Sequence, residues 1–181
     1  MVSMMVTVAT EFASCRPNID MGWGNINALE MTHRCWQVVM GGGYIGHGET
    51  YVHPEDILWW SHGGELHGTS EPRIAFLRKI LEEVPGKQLR PLHEAPSFYS
   101  WEVMTATPQD AEDVRDHLLV YFGIKCPSFR NINMGDDRTY HVEIIDAFDM
   151  TITDVGYIKG WTKVALPGKP FIALRITSQK D

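Results

Sequence analysis

The texture of the second half of this chain constrains its fold more than any other feature. From Ser97 onward, short alternating or β-branched runs follow one another over residues 98–105, 117–124, 139–148, 150–155, 161–166 and 171–177. Turn-forming spacers separate them, among them Asn133-Met134-Gly135-Asp136-Asp137, Val155-Gly156 and Pro167-Gly168-Lys169-Pro170. Helical periodicity is nearly absent, apart from one turn over residues 108–114. Strands joined without intervening helices pair antiparallel, because a parallel pair needs a long crossover. An antiparallel β-sandwich over residues 97–181 is therefore expected. Trp101, Tyr121, Phe148 and Trp161 are expected in its core or at its seam with what precedes it.

The first half reads differently. Residues 4–10, MMVTVAT, form an almost continuous apolar, β-branched run, which fits a strand buried on both faces as in a parallel sheet flanked by helices. Glu11 ends that strand, at the carboxyl edge where α/β architectures build their sites. A loop with Pro17 and the Gly-Trp-Gly-Asn turn at residues 22–25 leads to Asn27, which caps a helix over 28–40 with Glu30 at the third helical position. Gly41, Gly42 and Gly43 stop it. Residues 44–48 are extended and deliver His47 and Glu49, completing a βαβ unit of parallel topology. A second helix begins near Pro72, a first-turn proline, and runs to about residue 83, where Val84-Pro85-Gly86 ends it. The proline-rich stretch 87–96 is the best domain boundary, dividing the chain into 1–90 and 97–181. The fold class is thus α+β.

The chemistry concentrates in residues 41–78. Four of the eight histidines, His47, His53, His62 and His67, lie there with Glu49, Glu55, Asp56, Glu65 and the pair Trp59 and Trp60. Polar, aromatic and glycine residues mix without helical or strand period, the mark of a loop surface built for chemistry or recognition. His47, Glu49 and His53 have the residue types of a facial metal triad. No distant ligand accompanies them, so neither a metal nor another cofactor is expected. Trp59, Trp60 and Trp23 offer flat faces to an apolar ring, against which stands ordinary core packing. His62 and His67 sit beside glycines, as turn histidines do.

A formal charge of −7 gives no basic stripe, which disfavours nucleic acid and anionic membranes as partners. No run approaches the roughly 18 to 20 apolar residues that span a bilayer, and residues 1–15 lack the pattern of a signal peptide. Cys15, Cys35 and Cys126 are odd in number and widely spaced, which fits a reducing, cytoplasmic compartment rather than a disulfide framework or a zinc site.

Long motifs also carry a likeness. GWGNI, GGGYIGHGETY and DILWWSHGGELHGTSEPRIAFLRKILEE resemble the end of the (β/α)8 barrel in bacterial glycoside hydrolases of the apiosidase-like, domain-of-unknown-function group. LLVYFGIKCPSFRNINM, YHVEIIDAFDMTITDVGYIKG and LPGKPFIALRI resemble the β-sandwich that follows that barrel. The resemblance implies that 1–90 supplies the last two β/α units of a TIM-like barrel, with residues 6–10 as its seventh strand and 44–48 as its eighth. It makes Glu11 the nucleophile, although Phe12 stands where the family has a second acidic residue. His47, Glu49, Trp23, Trp59 and Trp60 become carbohydrate contacts.

The general acid, at the end of the fourth strand in that group, has no counterpart here. Glycoside hydrolysis needs two carboxyl groups about 5 to 9.5 Å apart, on opposite sides of the scissile bond. Glu11 and Glu49 end neighbouring strands and would lie on one side. The expected function is O-glycosyl hydrolysis of a polysaccharide by a longer enzyme, with this piece inactive alone. The alternative is a non-catalytic carbohydrate-binding or interaction module. Two β/α units cannot close a barrel, so a homo-oligomer covering the open edge is one expected outcome.

Overall fold

The computed structural model describes residues 27–46, 69–99 and 102–179. The first helix, α1 (Ala28–Met40), starts where the sequence places it, and the Asn27 Oδ1 accepts the Glu30 N–H at 2.9 Å. Glu30 itself binds Arg34 Nε at 2.5 Å, one turn further on. Beyond α1 the backbone reverses through Gly42 at φ +74°, where a Cβ would stand 3.1 Å from the Leu89 carbonyl oxygen. Only glycine combines that φ with so close an approach. The second helix, α2 (Glu71–Glu82), carries Pro72 in its first turn, and a 3-10 turn over Pro85–Lys87 follows it.

Ten strands follow: β1 (Leu89–Leu92), β2 (Glu94–Ala95), β3 (Phe98–Tyr99), β4 (Met104–Pro108), β5 (His117–Tyr121), β6 (Phe129–Asn133), β7 (Tyr140–Asp146), β8 (Thr151–Ile158), β9 (Trp161–Ala165) and β10 (Ile172–Ser178). Six form one antiparallel sheet in the order β1-β4-β5-β10-β7-β8, while β2 pairs with β3 and β6 with β9. The described part of the molecule is thus mostly antiparallel β with two helices.

Both faces of the six-stranded sheet are covered. On one, Met31, Cys35, Trp36 and Met40 of α1 and Leu77 and Ile80 of α2 bury themselves against Ala106, Leu119, Tyr121, Ile145 and Ala173. On the other, Ile132 of β6 and Val164 of β9 join Leu118, Val120, Val142, Leu174 and Ile176. Along the central strand β5 residues alternate between the two cores, which is why every one of them is buried. Each fully buried aliphatic side chain contributes about 1.5–3 kcal/mol relative to exposure. The two cores hold helices, sheet and the β6–β9 pair as three stacked layers.

The structure adds detail to the sequence reading. The run 98–105 is two strands, β3 and β4, which belong to different sheets. The stretch 87–96 contains β1, which pairs with β4 through the register Leu89↔Pro108 to Leu92↔Thr105. Residues 109–116 form turns, tied by an ion-pair network in which Arg138 reaches Asp113 and Asp116 at 3.0 and 2.7 Å and Arg115 reaches Asp137 at 3.0 Å. Trp161 is not a core residue: it is 73% exposed. The alternation along β9 explains this, since Val164 takes the inward side and Trp161 the opposite one. Tyr121 is buried as expected, while Phe148 is partly buried against the helix-side core.

Candidate functional site

Glu11, Trp23, His47, Glu49, Trp59 and Trp60 all lie outside the described residues, as do His53, His62, His67 and Trp101. The described chain supplies the frame from which the segments carrying them depart and to which they return. Segment 1–26 joins at the N-cap of α1, and segment 47–68 runs between the extended residues after α1 and the start of α2. Both junctions therefore belong to the helix layer.

The frame there is a corner built of aromatic and basic side chains. Arg73, in the first turn of α2, donates from Nε to the Phe148 carbonyl oxygen at 2.8 Å and from a terminal nitrogen to the Thr69 carbonyl oxygen. Its guanidinium lies 3.9 Å from the centre of the Phe148 ring. One residue thus ties the return of the 47–68 segment to the β7–β8 connection. Next to it, His33 Nδ1 and the Tyr121 hydroxyl share a hydrogen bond of 3.0 Å, and Trp36 stacks on Tyr121 with ring centres 5.1 Å apart. Phe171 faces His33 at 5.5 Å and holds φ at +62°, an unusual conformation for a bulky residue. Gly123, at φ +61°, passes so close that a Cβ there would lie 3.2 Å from His33 Cε1.

Burial governs the chemistry of this corner. It pushes the Tyr121 hydroxyl well above the ordinary range of a tyrosine and holds the His33 imidazole below that of a histidine, with Glu30 opposing and Arg34 reinforcing the latter. At neutral pH the pair is an uncharged hydroxyl–imidazole bond. Burial likewise raises the Cys35 thiol to about 11, leaving it inert. The corner positions helices on a sheet rather than moving protons. Among the described residues no group of three or more histidine, cysteine, aspartate or glutamate side chains is arranged to hold a metal ion.

The sequence reading missed two features. The His33–Tyr121 bond joins residues far apart in the chain and leaves no local pattern. The outward face of the β6–β9 pair, with Phe129, Asn131 and Asn133 opposite Ala165, Lys163 and Trp161, was legible as alternation in Phe-Arg-Asn-Ile-Asn.

Residues 101–177 match the model of a family described as a domain of unknown function, DUF5605. Among solved structures, the chain is similar to one from Bacteroides vulgatus described as "a putative glycoside hydrolase", at 28% identity and a TM-score of 0.70 over 90% of this chain and 34% of that one. A structure described as a glycoside hydrolase is 12% identical, with a TM-score of 0.58 over 86% of this chain and 38% of that chain. A family 5 glycoside hydrolase from Bacteroides vulgatus is also 12% identical, with a TM-score of 0.56 over 83% and 36%. This chain therefore shares the fold of part of glycoside hydrolase-like proteins and spans about a third of their length. No curated protein matches it. Among the described residues no helix is long and apolar enough to cross a membrane.

Proposed function

We propose that the chain is the C-terminal part of a glycoside hydrolase of the apiosidase-like group. In this reading residues 1–90 supply the last two β/α units of a TIM-like barrel and residues 97–181 the β-sandwich after it. The observation that carries the reading is the 28% identity with the Bacteroides vulgatus protein over 90% of this chain. The reaction is hydrolysis of O-glycosyl bonds in a polysaccharide. Glu11 is the nucleophile, and Trp23, His47, Glu49, Trp59 and Trp60 bind the sugar. The general acid must come from outside the chain, so the isolated piece is inactive. A cytoplasmic location fits the free thiols of the buried Cys35 and the exposed Cys126.

Reducing-sugar release from plant and microbial polysaccharides tests this. The expected result is no release by the purified chain. Release that disappears in Glu11→Gln would show that the chain carries both carboxyl groups itself, contrary to this reading.

The second reading is a carbohydrate-binding module without chemistry, in which the aromatic loop of residues 41–78 serves recognition alone. Glycan binding that survives Glu11→Gln but is lost in Trp59→Ala supports it.

A further inference from the structure

The outer layer of the described fold is a two-stranded pair whose outward side has a composition unlike the rest of this acidic chain. Along β6 and β9 the cross-strand partners are Phe129↔Ala165, Asn131↔Lys163 and Asn133↔Trp161, and all six residues are exposed. Their neighbours on the inner side, Ile132 and Val164, are buried in the core, so the orientation of the pair is fixed by packing. In a chain of net charge −7 this face has no carboxylate and a single cation.

Its chemistry is specific. Lys163 Nζ lies 4.2 Å from the centre of the Phe129 ring, so that ring already has a partner. The Trp161 indole, 73% exposed, has no ring partner among the described residues and offers a flat apolar face. Directly across stands Asn133, whose Oδ1 accepts the Gly135 N–H at 3.2 Å while its amide nitrogen remains a donor. Asn131 makes no side-chain hydrogen bond among the described residues and lies one pleat along. The strand end is rigid: the Asn133 N–H donates to Ser97 Oγ at 2.6 Å, and the Ser97 hydroxyl donates to the Asn133 carbonyl at 2.8 Å. From Trp161 to Ala165 the face extends about 13 Å, at roughly 3.3 Å per residue. That is the length of a short oligosaccharide.

An open indole flanked by amides and one ammonium is complementary to a hydroxyl-rich chain. The C–H face of one sugar ring lies on the indole, and vicinal hydroxyls exchange hydrogen bonds with the amides. We propose that the outward face of β6–β9 binds a polysaccharide chain, with Trp161 as the stacking platform and Asn131, Asn133 and Lys163 as hydroxyl partners. Its residues lie in 129–133 and 161–165, outside the stretch 41–78. The segments carrying the expected active-site residues join the described chain at α1 and α2, across the six-stranded sheet from this pair. The arrangement suits an auxiliary grip on the polymer, with rigid strands keeping the ordering cost low.

Native electrophoresis of the full chain through gels containing arabinoxylan, polygalacturonate or mixed-linkage β-glucan tests the proposal. At least one polymer is expected to retard the wild type. Trp161→Ala should weaken that retardation about tenfold or more, as loss of one stacked ring does, and the Asn131→Ala/Asn133→Ala double variant should weaken it several-fold. Melting temperatures should be unchanged in both. Mobility unaffected by every polymer overturns the proposal, and so does undiminished retardation of Trp161→Ala. Retardation lost in Trp59→Ala but kept in Trp161→Ala places binding in the loop and rejects this site while leaving the proposed function intact. A dimer in light scattering that Trp161→Ala converts to monomer makes the face an interface between copies and also overturns it.

Discussion

The two faces of the six-stranded sheet are covered by different means. On the helix side, large and partly polar side chains interlock: Trp36 on Tyr121, His33 bonded to Tyr121, and Arg175 of β10 bridging Glu83 at the end of α2 and Glu143 of β7. On the β6–β9 side Leu118, Val120, Leu174 and Ile176 meet Ile132 and Val164, with the rings of Phe98, Phe122 and Tyr140 in the same core and the Tyr140 hydroxyl donating to the Met134 carbonyl oxygen at 3.2 Å. The first face fixes geometry through directional contacts, as befits the layer from which segments 1–26 and 47–68 depart. The second is held mainly by apolar burial, and the outward residues of its covering pair are exposed. The two faces of one sheet are thus packed by separate sets of residues.

Substitutions at matched depths sharpen this contrast. Trp36→Ala should be the most damaging, costing about 3–5 kcal/mol in chemical denaturation, because it opens a cavity between helix and sheet. Leu118→Ala on the opposite face should cost about 2–5 kcal/mol, toward the lower end if the two-stranded cover settles inward.

Protonation distinguishes the faces next. His117, on the helix side, is buried, and among the described residues its Nε2 has no hydrogen-bond partner. Burial, with Arg175 adding and Glu143 opposing, lowers it from 6.5 to about 4. Between those values the unfolded chain takes up the proton and the folded chain does not, so stability is complete above about pH 6.5 and declines as pH falls toward 4. Thermal melts from pH 7 to pH 4.5 should show this decline, and His117→Gln should flatten it.

Smaller effects complete the series. Tyr121→Phe removes the His33 hydrogen bond and should cost about 1 kcal/mol. Trp161→Ala, on the open side of β9, should leave stability within about 0.5 kcal/mol of the wild type.

Much of this framework is legible in the sequence, for physical reasons. Asn27 and Pro72 mark helix starts because a cap and a first-turn proline act locally. The strands β5, β7 and β10 announce themselves as β-branched or apolar runs because they feed buried cores. In contrast, β1 contains Pro91 and lies in a stretch that reads as a linker, and only its register with β4 makes it a strand. β6 buries one residue, Ile132, so its apolar signal is thin. Trp161 misleads because residue type suggests a core, whereas its place in the alternation puts it outside. The histidine- and tryptophan-rich stretch declares chemistry by composition, yet composition does not fix the geometry of Glu11, His47 and Glu49, which lie outside the described residues.

The central claim is that this protein engages carbohydrate. It is tested most directly by applying the purified chain to an array of plant and microbial polysaccharides. The account predicts reproducible binding to at least one of them; absence of binding across the array would contradict it.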